Sequence, residues 1–202
     1  MKTIFLLAIA CGYALSTYSQ QEWYYFPDEI YFVKEVPAKE FRGKDFKYQI
    51  AVKVNASDTF SKVRINGVGV GKGADDFINN SNFVKAIQTD GSWTIYTIEG
   101  KVPKEAWKLW FYSAVNGNGD FYFDDLCFYI REEGEWIQVE LPYCSFENKS
   151  KNIFQGFYVS ARQSAHMKTE ISKSTSFHGE QSLHVSTFGL NPSAPKTLLT
   201  RQ

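Results

Sequence analysis

The sequence feature that most constrains the fold is an alternation over residues 45–54, where large apolar side chains occupy every second position. On a β-strand, side chains two residues apart share a face, so this pattern predicts a strand that covers a core on one side and meets water on the other. The expected core face carries Phe46, Tyr48, Ile50, Val52 and Val54, and the expected water face carries Lys47, Gln49, Ala51 and Lys53.

Seven further segments between residues 29 and 141 have strand patterns, and clusters of Gly, Asn, Asp and Pro separate them. They are residues 29–36, 62–70, 83–88, 92–98, 108–115, 121–130 and 135–141. Aromatic residues make up 17% of the chain, which favours β-structure. The segment 104–109 is predicted to form at most one helical turn. The sequence therefore predicts an all-β protein, an antiparallel β-sandwich of the jelly-roll type.

The chain is predicted to have three parts. Residues 1–19 have a positive start, a short apolar run and small residues before Gln20, which is typical of a secretory signal peptide. No apolar run approaches the ~20 residues of a membrane-spanning helix. We therefore expect a secreted, periplasmic or cell-surface protein without a membrane span.

The composition changes near Pro142, where Ser and Thr become frequent and the charge balance turns from acidic to basic. This change predicts a jelly-roll domain over residues 20–142. The region 143–202 is then either a truncated second β module or a disordered tail, dispensable or only docked to the first domain.

Several function classes are disfavoured. The 22 basic residues equal the 22 acidic residues, so the chain has no general attraction to nucleic acid. Residues 20–144 contain no His and no Gly-x-Ser-x-Gly motif, so we expect no enzyme activity. The glycine-rich segment 67–73 departs from a phosphate-binding loop, because Asn66 replaces its first glycine and Gly73 its hydroxyl residue.

Asp124 and Asp125 lie inside an aromatic-rich strand, where an ionised side chain must point outward or be compensated. One reading is a structural calcium site, since calcium prefers carboxylate and carbonyl oxygens. In the other reading, one Asp faces solvent and the other accepts backbone hydrogen bonds from a neighbouring loop. Cys127 and Cys144 leave a similar choice between one disulfide and two small buried side chains.

Aromatic side chains on a water-facing strand surface are the candidate ligand site. If Trp107, Leu109 and Phe111 face the core, then Trp110 and Tyr112 face outward. Tyr96 is expected to face outward as well. Exposed flat rings suit sugars, whose C–H faces stack on them. The competing interpretation is that the tail or a second sheet covers these rings.

Three segments resemble galactose-binding-like jelly rolls, which include carbohydrate-binding modules of the cellulose-binding type attached to secreted bacterial hydrolases. They are Val36-Pro37-Ala38 with Phe41-Arg42-Gly43-Lys44, then Trp93-Thr94-Ile95-Tyr96, then the run from Gly117-Asn118-Gly119 to Asp124-Asp125-Leu126. Residues 145–148 and 177–185 look like the opening and one strand of a second such module.

The resemblance implies an exported, non-catalytic carbohydrate-binding-like module, accessory to a larger hydrolase, with a polysaccharide or glycan as partner. It also implies a calcium-binding or loop-anchoring role for Asp124 or Asp125. The alternative is a structural or protein-interaction β-sandwich at the cell surface with no sugar site.

Overall fold

The computed structural model describes residues 24–25, 30–56, 61–71, 77–78, 83–89, 92–147, 156–159, 166–189 and 197–198. The signal peptide predicted for residues 1–19 lies outside the described residues. The described chain is all-β, and its strands pair antiparallel throughout. No helix in these ranges is long and apolar enough to cross a membrane.

Two antiparallel sheets form the sandwich, which confirms the predicted fold class. The five-stranded sheet has the order β11-β2-β8-β4-β5. Its strands are β2 (Ile30–Pro37), β4 (Lys62–Val70), β5 (Phe77–Ile78), β8 (Lys108–Asn116) and β11 (Phe157–Val159).

The seven-stranded sheet has the order β12-β13-β9-β3-β7-β6, and β10 also pairs with β9. Its strands are β3 (Asp45–Ala56), β6 (Phe83–Gln88), β7 (Trp93–Lys101), β9 (Gly119–Glu132), β10 (Glu135–Val139), β12 (Met167–Ser172) and β13 (Ser182–Thr187). In a separate compact unit, β1 (Tyr24–Tyr25) pairs with β14 (Thr197–Leu198).

The core consists of aromatic and aliphatic side chains from the facing sides of the two sheets. The core face predicted for β3 is confirmed for Phe46, Tyr48, Ile50 and Val52, which are all buried. Ala51, expected on the water face, is buried as well, because it lies between Ile95 of β7 and Asp124 of β9. Tyr48 stacks on Phe111 of the opposite sheet, with ring centroids 4.1 Å apart. Val54, expected on the same core face, is partly exposed near the end of the strand.

The strands that follow Pro142 belong to the same sandwich, which differs from the predicted division at that residue. Strand β11 pairs with β2, and β13 lies between β12 and β9. Leu183 and Val185 of β13 are buried in the core, and Pro27–Pro195 is one compact unit. The region has too few apolar residues for a core of its own, and β9 offers an edge with which β13 can pair.

Lys34 on β2 ties the segment after Pro142 to the five-stranded sheet. Its side chain points inward and is buried, and Nζ donates hydrogen bonds to the carbonyl oxygens of Pro142 (2.6 Å) and Gly156 (3.4 Å). The ammonium group also lies 4.8 Å from the centroid of the Phe157 ring. Carbonyl oxygens and a ring face thus compensate a buried cation, as burial of a charge requires.

Candidate functional site

The outer face of the five-stranded sheet carries the two predicted ligand-binding rings of β8. Leu109 and Phe111 are each 1% exposed and fill the core. Trp110 and Tyr112 alternate with them and therefore point away from the core, as predicted from the sequence.

Neighbouring strands add two further rings to this face. Val33 of β2 lies opposite Tyr112, and Tyr158 of β11 lies opposite Val33. The Tyr31 ring of β2 lies 6.1 Å from the Tyr112 ring, and the Trp110 ring lies 6.2 Å from it on the other side. We call Tyr31, Trp110, Tyr112 and Tyr158 the ring surface. Tyr158 is its most accessible member, at 67% exposure.

Glu35 of β2 orients the indole of Trp110. Its Oε2 accepts hydrogen bonds from Trp110 Nε1 (2.9 Å) and Lys108 Nζ (2.7 Å). Lys108 Nζ also lies 5.0 Å from the centre of the indole. Partial burial disfavours the ionised form of Glu35 and by itself raises its pKa. The hydrogen bonds from Lys108 and Trp110 outweigh this effect, so the pKa of Glu35 lies below its usual value.

The Tyr112 phenol is neutral at neutral pH. Burial, followed by the nearby hydroxyl groups of Tyr31 and Tyr158, raises the pKa of Tyr112 to about 12. The centre of the ring surface therefore carries no negative charge, while its hydroxyl group can donate a hydrogen bond to a ligand.

Two aromatic predictions were wrong. Trp107 was expected in the core but is 52% exposed, because β8 begins only at Lys108 and Trp107 lies in the preceding turn, bonded through its backbone to Val70 and Ala38. Tyr96 was expected to share an outward surface with Trp110. It lies in the other sheet, opposite Ile50, and packs against the core.

Asp124 anchors the loop that connects β12 with β13. A register shift between β3 and β9 produces a β-bulge at Asp125, whose φ is 50°. Asp124 is 1% exposed, and its Oδ2 accepts hydrogen bonds from the backbone N–H groups of Phe177 (2.8 Å) and His178 (3.0 Å). Its Oδ1 accepts the N–H of Asp125 (2.8 Å), while the Asp125 side chain is partly exposed. This matches the loop-anchoring alternative.

Glu147 holds the other end of the same loop, and the sequence analysis gave it no such role. Its Oε1 accepts the backbone N–H groups of Glu180 and Gln181, both at 2.9 Å. Gly179 has a φ of 70°, which residues with a Cβ rarely adopt, and a Cβ there would also crowd this carboxylate, so both features favour glycine. The segments 145–148 and 177–185 look like parts of a second module, but their described residues Glu147, Glu180 and Gln181 bond to each other on the one sandwich.

The Asp124 anchor yields a stability prediction. Replacing the buried carboxylate in Asp124→Ala leaves three backbone N–H groups without an acceptor, and we expect a loss of about 2–4 kcal/mol in the free energy of unfolding, measured by urea denaturation. Asp125→Asn is the matched control and should change little, because Asn also tolerates positive φ. Equal stability of Asp124→Ala and the wild type would contradict the anchoring role.

The proposed calcium site at Asp124 is tested by measuring the melting temperature of the wild type with and without a chelator. Burial raises the pKa of Asp124, and the three N–H donors oppose that effect. These N–H groups direct their hydrogens at the oxygens that a calcium ion would need as ligands. Among the described residues, no group of three or more His, Cys, Asp or Glu side chains is placed to hold a metal. Calcium binding predicts a lower melting temperature with chelator, and the amide anchor alone predicts unchanged curves.

The two cysteines expected in the mature chain are both free thiols in the structure. Cys144 is buried in the core, and Cys127 lies partly exposed on β9. Burial raises the pKa of each thiol to about 11, so neither is a thiolate at neutral pH. Neither thiol has the ionised form that nucleophilic chemistry requires.

Comparison with known proteins adds no assignment to this geometry: no family model, no curated protein and no solved structure matches the chain.

Proposed function

We propose that this protein is an exported, non-catalytic carbohydrate-binding module whose ring surface stacks on the sugars of a glycan. The observation that carries the proposal is the grouping of four aromatic side chains from three strands on one outer sheet face, namely Tyr31, Trp110, Tyr112 and Tyr158. As an accessory module, it would bring a larger secreted hydrolase to its polysaccharide.

The chemistry of this surface suits a sugar ligand. Rings offer apolar faces to the C–H groups of a pyranose, and polar side chains at their border can bond its hydroxyl groups. Asn66 lies opposite Tyr112 and is exposed, and the Glu35 carboxylate borders Trp110. The expected affinity is in the micromolar to millimolar range, or about 4–8 kcal/mol.

The alternative is a structural or protein-interaction β-sandwich at the cell surface. The same four rings support it, since Tyr and Trp are enriched in protein interfaces. The two functions differ in their ligand, so retention on polysaccharides separates them.

Affinity electrophoresis in gels containing plant, algal or microbial polysaccharides tests the proposal. We expect Trp110→Ala to abolish the retention of the wild type, because it removes the largest ring of the ring surface without touching the core. Trp107→Ala is the matched control, since it removes an exposed Trp from outside the ring surface and should retain binding. Wild-type retention of the Trp110 variant, or no retention of the wild type by any polysaccharide, would refute the proposal.

A further inference from the structure

Neighbouring rings of the ring surface are inclined to one another. The planes of Trp110 and Tyr112 make an angle of 78°. The planes of Tyr112 and Tyr31 make an angle of 57°. The Tyr112 ring therefore shares a plane with neither neighbour, and the three rings do not form a flat platform.

The three inclined rings follow β8 in order. Trp110 and Tyr112 are successive outward residues of this strand, and Tyr31 lies opposite Ala114, the next outward position. The ring centroids are 6.2 Å apart at the first step and 6.1 Å apart at the second. A ligand that follows β8 thus meets the rings at nearly equal steps, and the ring plane changes at each step.

Contacts within the protein hold the rings in these orientations. The indole of Trp110 is held at Nε1 by the hydrogen bond to Glu35, and Lys108 Nζ lies 5.0 Å from the centre of the indole. Tyr112 is half-buried, and this burial is the largest cause of the rise of its pKa to about 12. A site that is ordered before binding loses little entropy on binding, so its geometry selects the shape of its ligand.

The shape of a glycan chain depends on how its sugars are linked. A sugar stacks with its mean plane parallel to an aromatic ring, so neighbouring sugars on inclined rings must themselves be inclined. The cellulose backbone is an extended ribbon whose successive sugars lie close to one plane. Laminarin and amylose form helices, in which each sugar is turned relative to the one before it. The helical chains match the change of ring plane along β8, and the ribbon does not.

We propose that the ring surface selects a helical glycan chain, whose successive sugars are turned relative to one another, over a flat, ribbon-like chain. This inference rests on the proposed function, because it names the ligand class of the same site.

Soluble polysaccharides that share one sugar and differ in linkage provide the test. Laminarin and amylose are helical glucans, and hydroxyethyl cellulose is a ribbon-like glucan. Affinity electrophoresis of the full chain gives a dissociation constant for each, and galactomannan adds a second ribbon-like chain. We expect laminarin or amylose to bind about tenfold more tightly than either ribbon-like chain.

Variants at Glu35 then connect this preference to the orientation of Trp110. Glu35→Ala releases the indole and should remove the tenfold preference. Glu35→Gln keeps a side-chain oxygen that can accept the Nε1 hydrogen bond, so it should keep most of the preference. Glu99→Ala is the matched control, since it removes an exposed carboxylate from the other sheet and should behave as the wild type.

Each other outcome overturns a defined part of the argument. If ribbon-like chains bind as tightly as the helical ones, or more tightly, the helical ligand is refuted and the proposed function stands. An unchanged preference in Glu35→Ala also refutes the inference, because the orientation of the indole would then have no effect on the choice of ligand. If no polysaccharide in the panel is retained, the inference and the proposed function fail together.

Discussion

A chain that ends at Ser145 is expected to lose the cooperative unfolding transition altogether. Truncation there removes β11, β12 and β13, which takes Leu183 and Val185 out of the core at about 1.5–3 kcal/mol each. It also removes the loop N–H groups that satisfy the buried Asp124 carboxylate, at a further cost of several kcal/mol. Together these losses approach the entire stability of an ordinary domain, about 5–15 kcal/mol.

Thermal unfolding followed by circular dichroism measures this loss. The matched control is a chain that ends at Gly189, which keeps every strand of the sandwich and should melt near the wild-type temperature. If the chain ending at Ser145 melted cooperatively at the wild-type temperature, the strands after Pro142 would be dispensable and the domain boundary would lie at that residue.

Adjacent residues of β8 should respond very differently to truncation, and this is the second large effect. Phe111 is buried, stacks on Tyr48 and contacts the rings of Phe46 and Phe128. We expect Phe111→Ala to cost about 3–5 kcal/mol, as for other large-to-small changes in a core. Trp110 lies on the outer face, so Trp110→Ala should cost about 1 kcal/mol or less while removing the largest ring of the proposed glycan site.

Urea denaturation of the two variants gives both free energies of unfolding under the same conditions. The comparison is controlled internally, because both changes replace an aromatic side chain by Ala on the same strand. A large loss of stability for Trp110→Ala together with a small one for Phe111→Ala would invert the face assignment of β8. The proposed glycan site would then be buried and the proposal would fail.

A β-sandwich supports many unrelated functions, so the proposed function depends on the site. The four rings and the Glu35–Lys108 pair beside Trp110 share one outer face. Phe111→Ala tests the core behind that face, and Trp110→Ala tests the ring surface itself. The stability and retention measurements therefore separate a damaged fold from a damaged site.

Alternation within a strand was sufficient to predict the fold class and the orientation of several side chains. It assigned Phe46, Tyr48, Ile50 and Val52 to the core. It also placed Trp110 and Tyr112 on the face of β8 that points away from Phe111 and the core. This information is local, because a period of two residues sets the face of a side chain whichever strand lies beside it.

Only the tertiary structure shows which strands pair with each other. Tyr31 and Tyr158 join Trp110 and Tyr112 through the pairing of β11 with β2 and of β2 with β8, and no local pattern encodes that pairing. Tyr96 packs against the core because the β3–β7 register places it opposite Ile50. Trp107 is exposed because β8 starts one residue later, a boundary that alternation does not define.

The strands and the loop after Pro142 depend on contacts across long stretches of chain. The N–H groups that satisfy Asp124 come from Phe177 and His178, more than fifty residues away. Strand β13 enters the core because the edge of β9 was available to it, whereas its own region could not bury enough apolar surface. Local composition marked a change near Pro142, but the pairing of distant backbone groups decided that the sandwich continues beyond it.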